Sequence, residues 1–320
     1  MTYKEYQLIL RQTSGLCTPL QADTLWGHFT GYLAQTKPEL LNDFIQSYKD
    51  EKPAIIFSDG LPSLLKQDNT IEVCFPTPVD ITLRIADLKE MKQLKKTNWL
   101  TKDDLERIIA DNVAKDFVPK TPLEVVNNTQ MRNQVSRTGE EDTKLFPLEE
   151  MWLNANEKKG TAVWSVFVKI HKDFFEQLQP FLEAFLLTGY GKKKNIGKGQ
   201  FEITVKKVDE LLFPKVQGAN AFMSLSSFVP AEDDPVDGYW QTFTKYGKMG
   251  ESAPLLNGHI SENPFKSPIV MLKPGAVFKV SEGNIKQFYG VSNLNSTFLI
   301  RKEPDYIHPA LAFVIPYRIK

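Results

Sequence analysis

Cysteine and histidine are scarce in this chain, and it carries no net charge. Cys17 and Cys74 are the only two cysteines in 320 residues and form no CxxC pair. A disulfide framework and a zinc ribbon are therefore both unsupported. The four histidines, His28, His171, His259 and His308, fall in four separate segments, without HxxxH, HD or HExxH spacing. Convergent metal or acid–base chemistry has no sequence footing, and neither a metal nor a cofactor is expected. No apolar run approaches 18 residues, and the stretch Met1 to Leu10 is too polar for a signal peptide, so no membrane contact and a cytoplasmic location are expected. Lys+Arg 39 against Asp+Glu 39 leaves the chain neutral; a polyanionic partner has to be met by a local patch.

The chain does have the means to build a core. Hydrophobic content of 42% with 24% charged residues is ordinary for a globular protein, and the length suits two domains. Tyr6, Leu8 and Leu10 alternate as a strand. A helix follows through Leu25, Phe29, Tyr32 and Leu33, with Asp23 as its expected N-cap and Gly27 and Gly31 as a stripe for close backbone approach. Thr36 and Glu39 have the spacing of a capping box opening a second helix through Phe44 and Tyr48. Short strands are expected at 55–57 and 71–75, around the loop Ser58 to Pro62. Residues 81–110 read as a helical insertion outside the core, with Thr101 and Asp104 opening its last helix. Met131 to Arg137, Thr138-Gly139 and Lys144 to Phe146 read as a protruding hairpin, about 129–147.

The second half repeats the opening order. Thr161 to Ile170 is a strand. Asp173 and Glu176 cap a helix through Leu186, kinked at Pro180, and Phe201 to Val205 is the next strand. Further strands fall at 222–229, 269–272, 276–280 and 310–315, with Lys273 to Gly275 joining the middle two. The fold class expected is α+β: two ferredoxin-like domains, at 1–155 and 156–320, with a polar linker near 154–160.

The strongest chemical signal is the loop Gly189, Tyr190, Gly191, Lys192, Lys193, Lys194, Asn195, Ile196, Gly197, Lys198, Gly199, in which eight of eleven residues are Gly or Lys. Glycines let amides face an anion, and lysines add charge. Residues 192–207 hold six lysines against Glu202 alone. The loop is not a nucleotide P-loop, because five residues rather than four separate Gly191 from Gly197, and Gly199 stands where Ser or Thr would hold magnesium. It also follows a helix and precedes a strand, the reverse of both P-loop and dinucleotide motifs. Phosphate binding along a nucleic acid is the preferred reading, with a solvated turn as the alternative. In the hairpin, Arg132, Asn133 and Arg137 offer guanidinium and amide donors suited to RNA, or simply charge against edge aggregation. The acidic run Glu232 to Asp237 reads as a charged surface or partner-docking loop.

Four motifs in this order, Asp23-Thr-Leu-Trp-Gly-His-Phe29, Phe57-Ser-Asp-Gly-Leu-Pro62, the Arg132 hairpin ending in Thr-Gly and Leu145-Phe146, and the Gly/Lys loop, resemble the RAMP superfamily of CRISPR proteins. Within it they are most similar to the Csm subunits that cap the 5′ end of the crRNA in type III-A effector complexes. The resemblance implies two RRM-like domains and a thumb hairpin that bends the guide RNA. It implies binding of the crRNA 5′ tag, with contacts to the large polymerase-cyclase-type subunit and to a backbone RAMP subunit. By position, Asp23, Thr24 and His28 would lie near the tag, Arg132, Asn133 and Arg137 in the thumb, and Gly189 to Gly199 on tag phosphates. Related subunits often carry His where Arg132 stands; the substitution keeps a donor. The related target-cleaving subunit has an essential Asp between its first strand and first helix. Here residues 12–22 contain no Asp, Glu or His, so no catalytic residue and no slicing activity are expected. The competing expectation is a metal-independent crRNA-processing endoribonuclease with His28 as general base. Two features oppose it: over 120 residues follow the Gly-rich loop, and no second general acid is evident.

Overall fold

The computed structural model describes residues 2–81, 96–110, 119, 121–134, 144–156, 160–248, 265–280, 284–295 and 306–319. The first half runs β1 (Tyr3–Gln12), α1 (Ala22–Thr36), α2 (Pro38–Lys49), β2 (Ile55–Phe57), β3 (Leu61–Lys66), β4 (Ile71–Pro76), β5 (Trp99–Thr101), α3 (Lys102–Ile109), β6 (Leu123–Gln134) and β7 (Lys144–Ala155). The second half runs β8 (Gly160–His171), α4 (Leu178–Thr188), β9 (Phe201–Lys207), β10 (Ala221–Ser224), β11 (Gly238–Tyr239), β12 (Thr242–Lys245), β13 (Ile269–Leu272), β14 (Val277–Lys279), β15 (Phe288–Val291) and β16 (Ala310–Tyr317).

The largest sheet has the order β5-β4-β3-β8-β1-β9, with β2 also paired to β8. The inner order β9-β1-β8-β3, with α1 after β1 and α4 before β9, is one ferredoxin-like unit drawn from both halves of the chain. The two strand–helix–strand repeats of the sequence thus merge into a single sheet instead of founding one each. The expected division at 155/156 falls just before β8, yet β8 pairs with β1 from Tyr3↔His171 to Leu10↔Trp164. A second sheet, β11-β14-β10-β16-β15, is built wholly from residues after 220.

Both faces of the first sheet are covered, which explains the nearly unbroken apolar run of β8. On one face Tyr6, Leu8, Leu10, Val166 and Val168 meet Phe29, Leu33, Phe44, Phe181 and Phe185 of the helices in a single buried cluster. On the other, Phe167 packs against Phe313 of β16, ring centroids 5.9 Å apart. Beside it the Lys169 ammonium, nearly buried, donates to the Gln287 carbonyl at 2.9 Å. A buried polar seam, Gln7 to Ser165 at 2.9 Å and Ser63 to Ser165 at 2.8 Å, crosses three strands of that face.

Several local expectations change. Asp23 is not the N-cap; Gln21 is, without a side-chain bond, and Asp23 is buried inside the first turn. Thr36 ends α1, its hydroxyl bonded to the Tyr32 carbonyl, and α2 opens at Pro38, so no capping box forms. Residues 172–177 form a 3-10 turn, which leaves Pro180 in the first turn of α4, where a missing N–H costs no helical hydrogen bond. Helix α3 does open at Thr101, which accepts from the Asp104 amide, but Leu105, Ile108 and Ile109 enter the main core rather than an outlying insert; residues 82–95 of that insert lie outside the described set. Strand β3 occupies what reads as loop, because Leu61 to Lys66 finds a partner in β8. Strands β13 and β14 are joined by Lys273 to Gly275 as expected, and they pair apart: β13 with β12, and β14 with β10 and β11.

Between β2 and β3 the chain steps out of the ladder, and Asp59 joins the two sheets from that step. Its carboxylate accepts from the Ala22 amide at 2.8 Å, the Ser227 amide at 3.1 Å and the Ser227 hydroxyl at 2.7 Å. Burial pushes its pKa up to about 6 against these bonds. Asp59→Ala strands three buried donors, and stability should fall by about 2 kcal/mol. Asp59→Asn, which keeps one acceptor oxygen, should lose less. Guanidinium titrations of the three proteins measure the order.

A cationic loop and hairpin on one surface

The Gly/Lys loop starts where α4 stops. Gly189 leaves the helix, and Tyr190 turns inward and is fully buried. The Tyr190 hydroxyl donates to the Pro19 carbonyl at 2.6 Å and accepts from the Gln21 amide at 3.0 Å. His28, two turns further along α1, packs against Tyr190 and Phe185, each with centroids 5.3 Å away. Its Nε2 accepts from the Gly191 amide at 3.2 Å. The Lys192 amide donates to Thr18 Oγ1 at 3.0 Å, and the Gly199 amide to the Gly15 carbonyl at 3.0 Å. Within the loop, Tyr190 donates to Gly199, Ile196 and Lys198 to Lys193, and Gly197 to Lys194.

Most of the loop's amides are therefore engaged internally or by the 14–18 segment, and they do not form the outward cradle that the glycines suggest. The glycines serve chain geometry instead. Gly199 has φ +70°, and a Cβ there would lie 2.1 Å from the Tyr190 carbonyl oxygen, so only glycine lets these two strands of the loop touch. What faces outward is side chain: Lys192, Lys193 and Asn195 are exposed and Lys194 half-exposed. Lys198 is withdrawn, its ammonium 2.5 Å from the buried Glu150 carboxylate of β7.

That ion pair joins the loop to the hairpin. Strands β6 and β7 pair alone over twelve residues, from Leu123↔Ala155 to Gln134↔Lys144. The hairpin is longer than the sequence suggests, and its tip, including Arg137, lies outside the described residues. Its base is tied to the sheet by the Leu16–Met151 bridge. Arg132 stands opposite Phe146 and shares its face. The Lys193 ammonium sits over the Phe146 ring, 5.5 Å from its centroid. Cys17 lies at the junction: burial and Glu150 push its thiol pKa up, against Lys198, Lys193 and Arg132. The loop and the arginine ribbon thus occupy a single surface, with Asn133 exposed on the ribbon.

The helix start is different. Burial pushes the Asp23 carboxyl up, but Lys245 and His308 outweigh it and hold it well below the usual carboxylate range. Lys245 pairs with Asp23 and donates to Thr24 Oγ1 at 3.1 Å, and His308 Nε2 lies 3.3 Å from Asp23. Asp23 is thus an interior ion partner, and Thr24 marks its rim. Lys245, His308, Thr18 and Glu150 carry no signal in the sequence because none stands in a local motif, and the inward role of Tyr190 is hidden within one; each partner is distant in the chain. Among the described residues no group of three or more His, Cys, Asp or Glu could hold a metal ion, and no helix is long and apolar enough to cross a membrane.

The chain thus combines a ferredoxin-like sheet with a Gly-rich loop before its last strand and a long hairpin before its third. No family model and no curated protein matches the sequence. Among solved structures, a chain of the Csm1–Csm4 cassette in complex with AMPPNP aligns with a TM-score of 0.59 and 14% identity, over 99% of both chains. A chain of the Csm3–Csm4 subcomplex of the type III-A CRISPR-Cas interference complex aligns with a TM-score of 0.60 and 14% identity, over 98% of this chain and all of that one. The component common to the two assemblies is Csm4, so the fold here is similar to that of Csm4.

Two outcomes follow from this geometry. Gly197→Ala, whose Cβ would meet nothing within 4 Å, should cost about 1–2 kcal/mol from its left-handed φ alone. Gly199→Ala should cost clearly more, because the Tyr190 backbone must move; paired thermal melts compare them. Burial and Lys194 hold His28 near a pKa of about 4, so the folded chain refuses a proton that the unfolded chain accepts below its ordinary value near 6.5. That stability is full above 6.5 and lost as the pH falls toward 4. His308, at about 4, has the same sign, and Asp59 the opposite one below about 6. The melting temperature should drop from pH 7 to 5, and His28→Gln should flatten the drop.

Proposed function

We propose that this chain is a non-catalytic RNA-binding subunit of a type III-A CRISPR effector complex. In this reading it holds the 5′ tag of the crRNA and links a large polymerase-cyclase-type subunit to the RAMP backbone. One observation carries it: Lys193 of the loop stands over Phe146, directly opposite Arg132 on the hairpin, on a chain with a Csm4-like fold. The assemblies in which the structural neighbours were solved, with Csm1 and with Csm3, support the two protein partners. The mechanism is electrostatic and geometric. Lysine ammonium groups and the Arg132 guanidinium neutralise phosphates, Asn133 adds a donor, and the hairpin stands beside the RNA as a wedge. The loop amides position the lysines and do not themselves bind phosphate.

His28 is ill-suited to be a general base. Its Nε2 lone pair is engaged by Gly191, and protonation there is disfavoured by burial and Lys194. This argues against the processing-nuclease reading.

Replacing Lys192, Lys193 and Lys194 together by Ala should weaken binding of a tag RNA and flatten the log–log salt dependence by about two, at roughly 0.7 per phosphate on single strands. A salt titration by fluorescence anisotropy reads both; an unaltered slope would remove the loop from the interface. Repeat RNA incubated with the wild-type chain in EDTA should stay intact, and cleavage abolished in His28→Ala would restore the nuclease reading.

A further inference from the structure

The ribbon of β12 and β13 lies outside the surface described above, and its composition departs from the rest of the chain. Residues 238–248 and 265–275 hold four lysines, Lys245, Lys248, Lys266 and Lys273, and no Asp or Glu. The register Phe243↔Met271, Thr244↔Val270, Lys245↔Ile269 sorts the ribbon into two faces. Inward, Ile269 and Met271 are buried against Val229, Leu294 and Ala310. Outward, Val270 is 61% exposed, and beyond the strand end Tyr246 and Phe265 are 76% and 61% exposed. Just before β12, Trp240 is 44% exposed, one ring face stacked on Phe278 at 5.3 Å and 11°. In the acidic loop that precedes the ribbon, Asp233 pairs with Lys286, Asp237 with Lys279, and Asp234 accepts from the Ala231 and Gly290 amides, while Glu232 is exposed.

Two anchors, one from each side of the ribbon, fix it to the first turn of α1. Lys245 reaches Asp23 and Thr24; Lys266 lies 2.9 Å from His308 Nδ1, whose other nitrogen faces Asp23. Thr24 precedes His28 by four residues, about one helical turn or 5–6 Å, and His28 touches Gly191. The ribbon is therefore linked to the Gly/Lys loop through the first two turns of α1, and Lys248 and Lys273 are exposed upon it.

Exposed aromatic rings among lysines are how surfaces for single-stranded nucleic acid are built: ammonium groups follow the phosphates, and rings stack on bases without regard to sequence. Protein interfaces are instead depleted of lysine. We infer that the β12–β13 ribbon is a second RNA-contacting surface that takes single-stranded RNA, with Tyr246 as a stacking platform and Lys248 and Lys273 as phosphate contacts. The inference rests on the RNA-binding reading above and extends the RNA path past the start of α1.

The test uses the full chain and a labelled oligouridylate in anisotropy titrations, with ultraviolet crosslinking and peptide mapping. Tyr246→Ala should weaken binding about ten-fold, the effect of losing one stacked base. Tyr246→Phe should retain wild-type affinity, the peptide holding Tyr246 should crosslink, and Lys248→Ala with Lys273→Ala should flatten the salt dependence. Because these side chains are exposed, melting temperatures should not move. If Tyr246→Ala binds like wild type while the Lys192–Lys194 variant does not, the ribbon proposal is overturned and the loop reading stands. Wild type that fails to bind oligouridylate even at low salt overturns both. If Tyr246→Ala keeps its RNA affinity but loses co-purification with a Csm1- or Csm3-type subunit, the ribbon is a protein surface and the inference fails.

Discussion

The seating of β1 between β8 and β9 is the constraint on which the rest of this molecule depends. β1 has a partner along both edges, from Leu10↔Trp164 on one side and Gln12↔Phe201 on the other. Three segments consequently meet at one end of the sheet: the loop that leaves β1, the hairpin strand that precedes β8, and the Gly/Lys loop that precedes β9. None is a neighbour of the others in sequence. Their contacts, Gly199 on Gly15, Leu16 on Met151 and Lys198 on Glu150, hold a basic surface that no single segment could present.

Lysine has two separate tasks here. Lys169, Lys198 and Lys245 are largely buried against carboxylates or carbonyls and tie sheets, loop and ribbon together. A buried ammonium is tolerated only with such partners. Lys192 and Lys193, and on the ribbon Lys248 and Lys273, stay in solvent, where a polyanion can reach them. The neutral net charge of the chain conceals this partition, since structural pairs cancel in the tally while the exposed groups cluster.

The two sheets are joined by polar groups as much as by apolar packing. Asp59 spans from the first turn of α1 to Ser227, Lys169 from the first sheet to Gln287, and Asp23 from α1 to Lys245 and His308. Each such contact is directional, so it fixes orientation where the apolar contact of Phe167 with Phe313 would leave room to slide.

Local pattern alone was enough to determine the elements with a clear period: β1, α1, the body of α2, α3, β8, α4, β9 and the hairpin, together with the cationic character of residues 189–199. Those signals depend on side chains two to four residues apart. It was also enough to suggest a RAMP-type chain, because the order of its motifs survives in one dimension. Tertiary structure alone decided that two strand–helix–strand repeats share one sheet, that Leu61 to Lys66 is a strand, that Asp23 is an interior ion partner and not a cap, and that the loop's amides turn inward. Each of these depends on a partner more than a hundred residues away or on another sheet: β8 for Leu61, Lys245 for Asp23, Thr18 and Gly15 for the loop. Periodicity reports what a residue wants to bury; only the folded chain supplies what it is buried against.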